Sequence, residues 1–332
     1  MEEELWRACS DGKVEEVINL LQNEQLNINW QGSQYSTTPF YIACEKGYIE
    51  IVKLLLNDQR VDINKERDTG ETSFYIACEN GYYEIVKLLI NDERIDINKA
   101  NEQGGAFWIA CFQGRIEVVK LLLNDKRIDI NKATNGGWTP FYVACFQGHI
   151  EIVKLLLNDK RIDINKANNS ETTPIWIACE NGDIEIVKLL LKDERVVDIN
   201  KENNSGWTPF YIACQNSHIE IVQLLLNDER IDVNKATDSG RTPLWIVCEK
   251  GYIEIVKLLL SDKRVDINKT SNNNGWTPFY NVCSNGHIEI VKLLLNDKRI
   301  SIRKKTKEGK TAKEFSDPNI VKLIQECDTG NR

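Results

Sequence analysis

Apolar and polar positions follow a pattern that recurs every 33 to 35 residues along most of the chain. In residues 138–159, WTPFYVACFQGHIEIVKLLLND, a short apolar stretch at helical spacing ends at Gly148. A second stretch comes next, in which Ile150, Val153 and Leu156 form one face and charged residues form the other. The pattern predicts two short helices joined at a glycine, because glycine readily adopts the left-handed conformation that ends a helix.

The flanking residues predict how each helical pair starts and which structure comes after it. Thr139 is a good N-cap, and Pro140 suits the first helical position, where its missing N–H costs nothing. After the second helix comes KRIDINKANNSE, residues 160–171, an extended stretch that becomes rich in Asn and Ser. This composition predicts a β-turn or a hairpin-like projection.

Near-copies of this unit begin at Thr38, Trp207 and Trp276. A single unit is too small to bury its own apolar face, whereas stacked neighbours can share a continuous core. The repetition therefore predicts a solenoid that is closed by a cap at each end.

Three motifs connect the units to a known family: T-P-x-x-x-A at the first helix, G-H/Y-x-E-I-V-K-L-L-L across the second, and D-I-N before the turn. Over nearly its whole length the chain resembles the ankyrin repeat. The resemblance implies an all-α solenoid of helix-turn-helix units with β-hairpin-like finger loops, about ten units in all. We expect a capping repeat at 1–28, eight internal repeats at 29–302, and a capping repeat with a tail at 303–332, all in one continuous elongated domain.

Some positions depart from the family pattern, counting the N-terminal cap as repeat one. The family motif T-P-L-H ends in His, but the fourth place is Tyr or Trp in all eight internal repeats, which favours packing between repeats over a ligand site. Repeat four reads GGAFW, so Gly105 and Ala106 replace the capping Thr and the Pro. Ser217 replaces a helix-ending Gly, and Asn281 takes an apolar place, where an unpaired amide would cost ~1–3 kcal/mol.

Arg and Asp also recur after the second helix of each repeat. Arg60 is followed by Asp62, and Arg94 by Asp96, with equivalent pairs in most later repeats. Alternating charges in register predict an ion-pair ladder along one edge of the solenoid, with each exposed pair contributing little.

Composition and charge narrow the classes of function. The 332 residues carry a net charge of −8 and have a pI of about 5.2, and an acidic surface repels phosphate backbones, so we expect no nucleic-acid partner. The N-terminal stretch lacks the basic and apolar regions of a signal peptide, and no apolar run is long enough to span a bilayer. We therefore expect a cytoplasmic protein with no membrane partner.

Nine of the ten cysteines occupy the same register position, and we call them the register cysteines. They are Cys9, Cys44, Cys78, Cys111, Cys145, Cys179, Cys214, Cys248 and Cys283. Stacked helices place equivalent atoms ~8–10 Å apart, which is too far for a disulfide or a shared zinc ion. This spacing favours small buried hydrophobes, and many free thiols indicate a reducing compartment.

A search for catalytic motifs yields no constellation that predicts an enzyme. His149, His218 and His287 all take the family's loop position, which favours a hydrogen bond over a catalytic base. The repeated H-I-E lacks the C-x-x-C of zinc deaminases, and the stretch before Gly309 has Lys304 where a phosphate-binding loop needs its first Gly. We expect no enzyme activity, no cofactor and no metal. The basic cluster 303–310 is interpreted as a solvated cap surface, with a phosphate or acidic-peptide contact as the alternative.

Positions that differ between repeats are the candidates for function. The residue before T-P and the pair after the register cysteine vary, and the resemblance places both on the concave surface and finger tips that family members use for partners. The protein-binding candidates are Phe112, Trp138, Phe146, Trp207, Arg241 and Trp276. Phe112, Trp138 and Phe146 are expected to form an apolar patch on repeats four and five. The alternative for the tryptophans is that each shields a neighbouring Tyr after duplication of a repeat pair.

These features predict a monomeric, non-enzymatic scaffold or adaptor that presents a rigid surface to one or more partner proteins. Three alternatives stay open at this point: an inhibitor that covers a partner's active face, a structural homo-oligomer, and an enzyme with a site built between repeats.

Overall fold

A computed structural model describes residues 1–32 and 36–328, which form two compact units, Met1–Asn169 and Ser170–Arg332. The first unit contains α1 (Glu2–Asp11), α2 (Val14–Leu21), α3 (Pro39–Lys46), α4 (Ile49–Asn57), α5 (Ser73–Asn80), α6 (Tyr83–Ile90), β1 (Ala100–Asn101), β2 (Gly104–Gly105), α7 (Ala106–Phe112), α8 (Ile116–Leu123), α9 (Pro140–Phe146) and α10 (Ile150–Asn158). The second contains α11 (Pro174–Asn181), α12 (Ile184–Lys192), α13 (Pro209–Gln215), α14 (Ile219–Leu226), α15 (Pro243–Lys250), α16 (Ile253–Ser261), α17 (Pro278–Asn285), α18 (Ile288–Asn296), a 3₁₀ turn (Ala312–Phe315) and α19 (Pro318–Asp328).

Helical pairs stack regularly within each unit, which confirms the predicted all-α solenoid. First helices contact first helices, in the orders α1–α3–α5–α7–α9 and α11–α13–α15–α17. Second helices stack likewise, in the orders α2–α4–α6–α8–α10 and α12–α14–α16–α18–α19. The boundaries at 1–28, 29–302 and 303–332, and the single continuous domain, stay predictions; residues 33–35 and 329–332 lie outside the described residues.

The first helices start and end as the sequence predicts. The Oγ1 of Thr38 accepts a hydrogen bond from the Tyr41 N–H at 3.0 Å, and Pro39 occupies the first turn. Gly47 ends the helix with φ 76°, in the left-handed region. Such a threonine cap contributes ~1 kcal/mol, and it recurs in every internal repeat except repeat four.

The core lies between the two helix rows. The register cysteines are buried, with at most 2% of their surface exposed, which confirms the core interpretation. On the second helices Ile152, Val153 and Leu156 are fully buried, while Glu151 and Lys154 form an exposed ion pair at 2.6 Å. The sequence pattern therefore placed Val153 and Leu156 correctly, whereas Ile150 is half-buried and Ile152 is the fully buried isoleucine.

The finger loops are turns, and the described residues contain one strand pair. β1 and β2 of repeat four pair antiparallel, with Ala100 opposite Gly105. Other fingers are closed by backbone hydrogen bonds without strands, such as Asn203 N–H to the Trp207 carbonyl at 3.1 Å and Gly206 N–H to the Asn203 carbonyl at 2.9 Å. The predicted hairpin-like projection is therefore confirmed as a closed turn, with strands only in repeat four of the described ranges.

The predicted ion pairs along the edge are present in register, but the partner of Arg60 is not Asp62. The Arg60 guanidinium binds Asp58, two residues earlier, at 2.6 Å, and it also donates to the Leu21 carbonyl of the preceding repeat at 3.2 Å. The hydrogen bond from Arg60 lowers the pKa of Asp58. Arg60 thus caps the C-terminus of the previous second helix, whose carbonyls lack intrahelical partners, and Arg94 does the same at the Leu56 carbonyl.

Asparagines of the D-I-N motif supply the ladder between repeats. Asn64 donates to the Arg94 carbonyl at 2.7 Å, and its oxygen accepts the Asp96 N–H at 2.7 Å. The same two bonds recur at other positions in both units, for example at Asn234. This amide ladder binds neighbouring repeats without any charge, so salt should screen it little.

The structure shows the surroundings of three residues that the sequence singled out: His149, Asn281 and Ser217. His149 forms a 2.9 Å hydrogen bond with the Phe112 carbonyl, as expected for a loop position. Asn281 is buried but paired, donating to the Trp245 carbonyl at 3.4 Å and accepting from Asn285 at 3.2 Å, so the cost of an unpaired amide does not arise. Ser217 adopts φ 61°, the left-handed conformation of the glycine that it replaces.

Candidate functional site

The variable positions of the repeats line one side of the first helices. Each internal repeat has three such residues, spaced four apart in the sequence. They are the residue before the capping position, the fourth-place aromatic, and the residue after the register cysteine. We call these triplets the stripe. They are Thr37–Tyr41–Glu45, Glu71–Tyr75–Glu79, Gly104–Trp108–Phe112, Trp138–Tyr142–Phe146, Thr172–Trp176–Glu180, Trp207–Tyr211–Gln215, Arg241–Trp245–Glu249 and Trp276–Tyr280–Ser284.

The middle residue of each triplet belongs to the core. All eight fourth-place aromatics are at most 8% exposed, which confirms their packing role. Burial raises the pKa of the Tyr211 phenol to about 12. The six predicted binding residues lie at the outer positions of the stripe, and each is half-buried. Each of these side chains therefore has one covered part and one part open to solvent.

Aromatic rings cluster on repeats four and five. The Trp138 ring lies 5.6 Å from the Tyr142 ring and 5.4 Å from the Phe146 ring, between centroids. Phe112 stacks on Trp108 of its own repeat at 5.1 Å, with the planes 13° apart. The structure thus joins Trp138 to Phe146 as predicted, and it places Phe112 in a separate stack on the preceding repeat.

A second aromatic group occupies repeats seven to nine. Trp207 lies 5.6 Å from Tyr211, and Trp276 lies 4.5 Å from Tyr280. Between these repeats, the Arg241 guanidinium lies 4.3 Å from the centre of the Trp245 ring, which is a cation–π contact. The tryptophans do shield tyrosines, as the duplication hypothesis requires, and their half-exposure also fits contact with a partner.

Repeats two and three give the stripe an acidic section that the sequence analysis missed. Glu45, Glu71 and Glu79 take its outer positions. Arg67 pairs with Glu71 at 2.7 Å and lies 5.9 Å from the Tyr41 ring centre. The register positions of these glutamates, the same as those of Trp138 and Phe146, are the sequence signal that identifies them.

The N-terminal cap extends the stripe by one repeat. Trp6 stands three residues before Cys9, at the fourth place, and its Nε1 donates to the Thr37 Oγ1 at 3.0 Å. A cavity of about 370 Å³ opens beside it, with Glu45 and Arg67 in its lining. Register alone could have identified Trp6, because Tyr41 lies 35 residues later in the equivalent place.

The basic cluster at the C-terminal cap is largely engaged within the protein. Arg303 pairs with Asp328 at 2.5 Å, Lys304 donates to the Asn268 carbonyl at 2.8 Å, and Lys307 donates to the Asn272 carbonyl. Lys310 lies over the Phe315 ring at 4.7 Å. These contacts support the interpretation of this cluster as a cap surface.

Residues 1–32 and 36–328 contain neither a cluster of metal ligands nor a helix that could span a membrane. No three His, Cys, Asp or Glu side chains converge there as metal ligands would. Every helix in these ranges is too short or too polar to cross a bilayer.

Comparison with family models identifies the repeats. A model described as ankyrin repeats (3 copies) matches residues 5–101, 96–168, 160–237, 229–306 and 265–329. The chain belongs to the ankyrin-repeat family. A comparison with curated proteins finds no match.

Proposed function

We propose that this protein is a non-enzymatic scaffold or adaptor that binds partner proteins through the outer positions of the stripe. Ankyrin repeats are generally protein-interaction modules. The observation that carries the proposal is the division within each repeat: core positions are nearly constant, while the outer stripe positions vary and include half-buried Trp, Phe and Arg. Trp, Tyr and Arg are enriched among residues that dominate binding energy.

The same proposal includes a cytoplasmic monomer. Nine buried free thiols fit a reducing compartment, and the aromatic side chains already cover part of their surface within their own unit. Helices fixed by caps and by the amide ladder present the stripe with little conformational cost on binding. Sedimentation of the pure protein tests the monomer, since a homo-oligomer would sediment as a larger species.

The binding role is tested with residues that the chain itself uses at the stripe. Trp138→Thr copies Thr172, while Phe112→Glu and Phe146→Glu copy Glu79 and Glu180. Proteins captured by the full chain are identified by mass spectrometry, and the affinity of a purified partner is then compared between variants. We expect the triple variant to bind at least tenfold more weakly, ~1.4 kcal/mol, with a nearly unchanged melting temperature.

The control variant is Lys120→Gln with Lys154→Gln, which copies Gln223 on the exposed side of the second helices. We expect it to bind like the natural chain. If the triple variant melts several degrees lower and the folded fraction binds with unchanged affinity, then these aromatics serve packing and the assignment of the site is wrong.

A further inference from the structure

Arg241 is the single cation among the outer stripe positions of the eight internal repeats. The equivalent residues of the flanking repeats are Trp207 and Trp276. The Arg241 guanidinium lies 4.3 Å from the centre of the Trp245 ring, and the side chain is half-buried. It is therefore a cation held on an indole ring, in a repeat whose two neighbours carry Trp at the same register position.

The guanidinium lacks an anionic partner of its own. Within residues 1–32 and 36–328 no carboxylate lies within 4.0 Å of it. By contrast, Arg67 pairs with Glu71 at 2.7 Å on the same side of the first unit, and the edge arginine Arg264 pairs with Asp262 at 2.6 Å. The donors of Arg241 thus stay available, and a guanidinium presents them as a planar fork that matches a carboxylate.

A second polar group beneath Arg241 also lacks a partner. Trp245 is 3% exposed, and its Nε1 has no hydrogen-bond acceptor in the described part of the chain. The equivalent Nε1 of Trp176 donates to the Trp207 carbonyl at 2.8 Å. Buried donors without an acceptor are uncommon in folded proteins.

The finger of the next repeat differs in length, but length alone does not decide the pairing, because the Trp108 Nε1 is also unpaired although its next finger closes from Thr134 to Trp138, across four residues. In repeat nine the closing hydrogen bond runs from Ser271 N–H to the Trp276 carbonyl, across five residues, whereas in repeat seven it joins Asn203 to Trp207, across four. The additional residue belongs to a loop that supplies the carbonyl nearest in register to Trp245. An unpaired indole N–H and a guanidinium without an ion-pair partner thus occur on two side chains in contact, and both groups are hydrogen-bond donors.

Charge over the two units favours an acidic partner segment here. Met1–Asn169 contains 19 Lys and Arg against 26 Asp and Glu, while Ser170–Arg332 contains 23 against 24. An anion approaching the second unit therefore meets less repulsion than at the first. Glu249 stands at the other outer position of the same triplet, eight residues after Arg241, so this triplet has a positive and a negative end.

We propose that Arg241 binds a side-chain carboxylate of a protein partner, and that apolar side chains beside this carboxylate pack on Trp207 and Trp276. This inference rests on the proposed function, because it specifies the chemistry of the group that one part of the stripe recognises. The partner is a segment that carries Asp or Glu next to aromatic or aliphatic residues. A phosphate group is the competing anion for a guanidinium, and peptide binding separates the two.

The test uses a displayed library of random 12-residue peptides selected on the full chain. We expect the selected peptides to be enriched in Asp or Glu beside apolar residues. Replacing that Glu by Gln in a synthetic peptide, or Arg241→Thr in the protein, should each weaken binding at least tenfold, and the two changes together should cost no more than one of them. Arg241→Lys should also weaken binding, because Lys keeps the charge and loses the planar fork.

Thr is natural at this position in Thr37 and Thr172, so Arg241→Thr is expected to fold, and melting checks it. Lys263→Thr, an exposed residue after α16, removes the same charge elsewhere and should leave the affinity unchanged. Selected peptides that bind Arg241→Thr as tightly as the natural chain would overturn the inference, as would a phosphoserine peptide binding tenfold more tightly than its Glu counterpart.

The proposed function has its own separate outcome in the same experiment. Suppose that the peptides bind Arg241→Thr as tightly as the natural chain but bind Trp207→Thr or Trp276→Thr more weakly. Then the stripe binds protein, and only the carboxylate inference fails. If all of these variants and the Trp138, Phe112 and Phe146 variant bind equally well, or if the selection yields no binder, then both proposals fail.

Discussion

At the scale of single residues, the register cysteines show how the repeat fills its core. Each occupies the interior of a first helix, where a larger side chain would collide with the stacked neighbour in a close-packed interior. Burial raises the pKa of the Cys9 thiol to about 12, and it also raises the pKa of the Cys44 and Cys78 thiols. Thiolate is the reactive form, so these thiols should be inert at neutral pH while the protein is folded.

Thiol labelling should therefore distinguish Cys327 from the nine register cysteines. Cys327 is half-buried on the last helix, outside the register, with its sulfur 4.0 Å from the Leu295 carbonyl. We expect it to react first with a thiol reagent in the native protein, and the nine others to react only on denaturation. Mass spectrometry of the labelled peptides gives the order, and rapid labelling of most register cysteines under native conditions would contradict the core assignment.

Residues whose role is set by their own repeat could be predicted from the sequence. Thr139 and Gly148 have such a local role, so the motif identified them, while His149 bonds the Phe112 carbonyl of the preceding repeat and was identified by its register position. The pairing of Arg60 with Asp58 could not be chosen over Asp62, because both lie two residues away and only the loop geometry distinguishes them. The unpaired Nε1 of Trp245 could not be predicted from register, because the equivalent Nε1 is paired in Trp176 and unpaired in Trp108.

At the scale of elements, repeat four is the exception to a uniform design. Its first helix starts at Gly105 without a side-chain cap, and the β1–β2 pair closes its finger instead. Such strands are too short to be stable alone, so we expect this repeat to exchange its amide hydrogens faster than every other unit except the terminal caps. The reason is that two of the usual starting contacts, the Thr oxygen and the Pro ring, are missing.

Restoring the cap should stabilise this repeat. Gly105 has φ −99° and ψ 179°, which Thr can adopt, and an added Cβ would lie 3.6 Å from the Ala100 Cβ, an ordinary contact. We expect Gly105→Thr to raise the free energy of unfolding by about 0.5–1 kcal/mol, from the cap and from a less flexible unfolded chain. Urea unfolding and amide exchange of Ala106–Phe112 measure the effect; an unchanged stability would show that the strand pair already replaces the cap.

At the scale of the whole molecule, the chain combines a constant core with a variable surface. The second helices keep the I-E-I-V-K-L-L-L sequence almost unchanged, because their buried residues are fixed by neighbours on both sides within each stack. The outer stripe positions are released from that constraint, and they contain Glu in repeats two and three, aromatic residues in repeats four and five, and Trp–Arg–Trp in repeats seven to nine. Within each repeat, one set of positions thus determines the fold and a different set forms the candidate binding surface.

The most direct measurement of this claim is hydrogen–deuterium exchange of the full chain with and without a bound peptide from the library selection. We predict slower exchange on binding in the finger loops and first helices, Pro209–Gln215, Pro243–Lys250 and Pro278–Asn285 above all, with little change in the second helices. Protection confined to the second helices, such as Ile219–Leu226 and Ile253–Ser261, would contradict the account, because the binding surface would then lie on the constant side of the repeats.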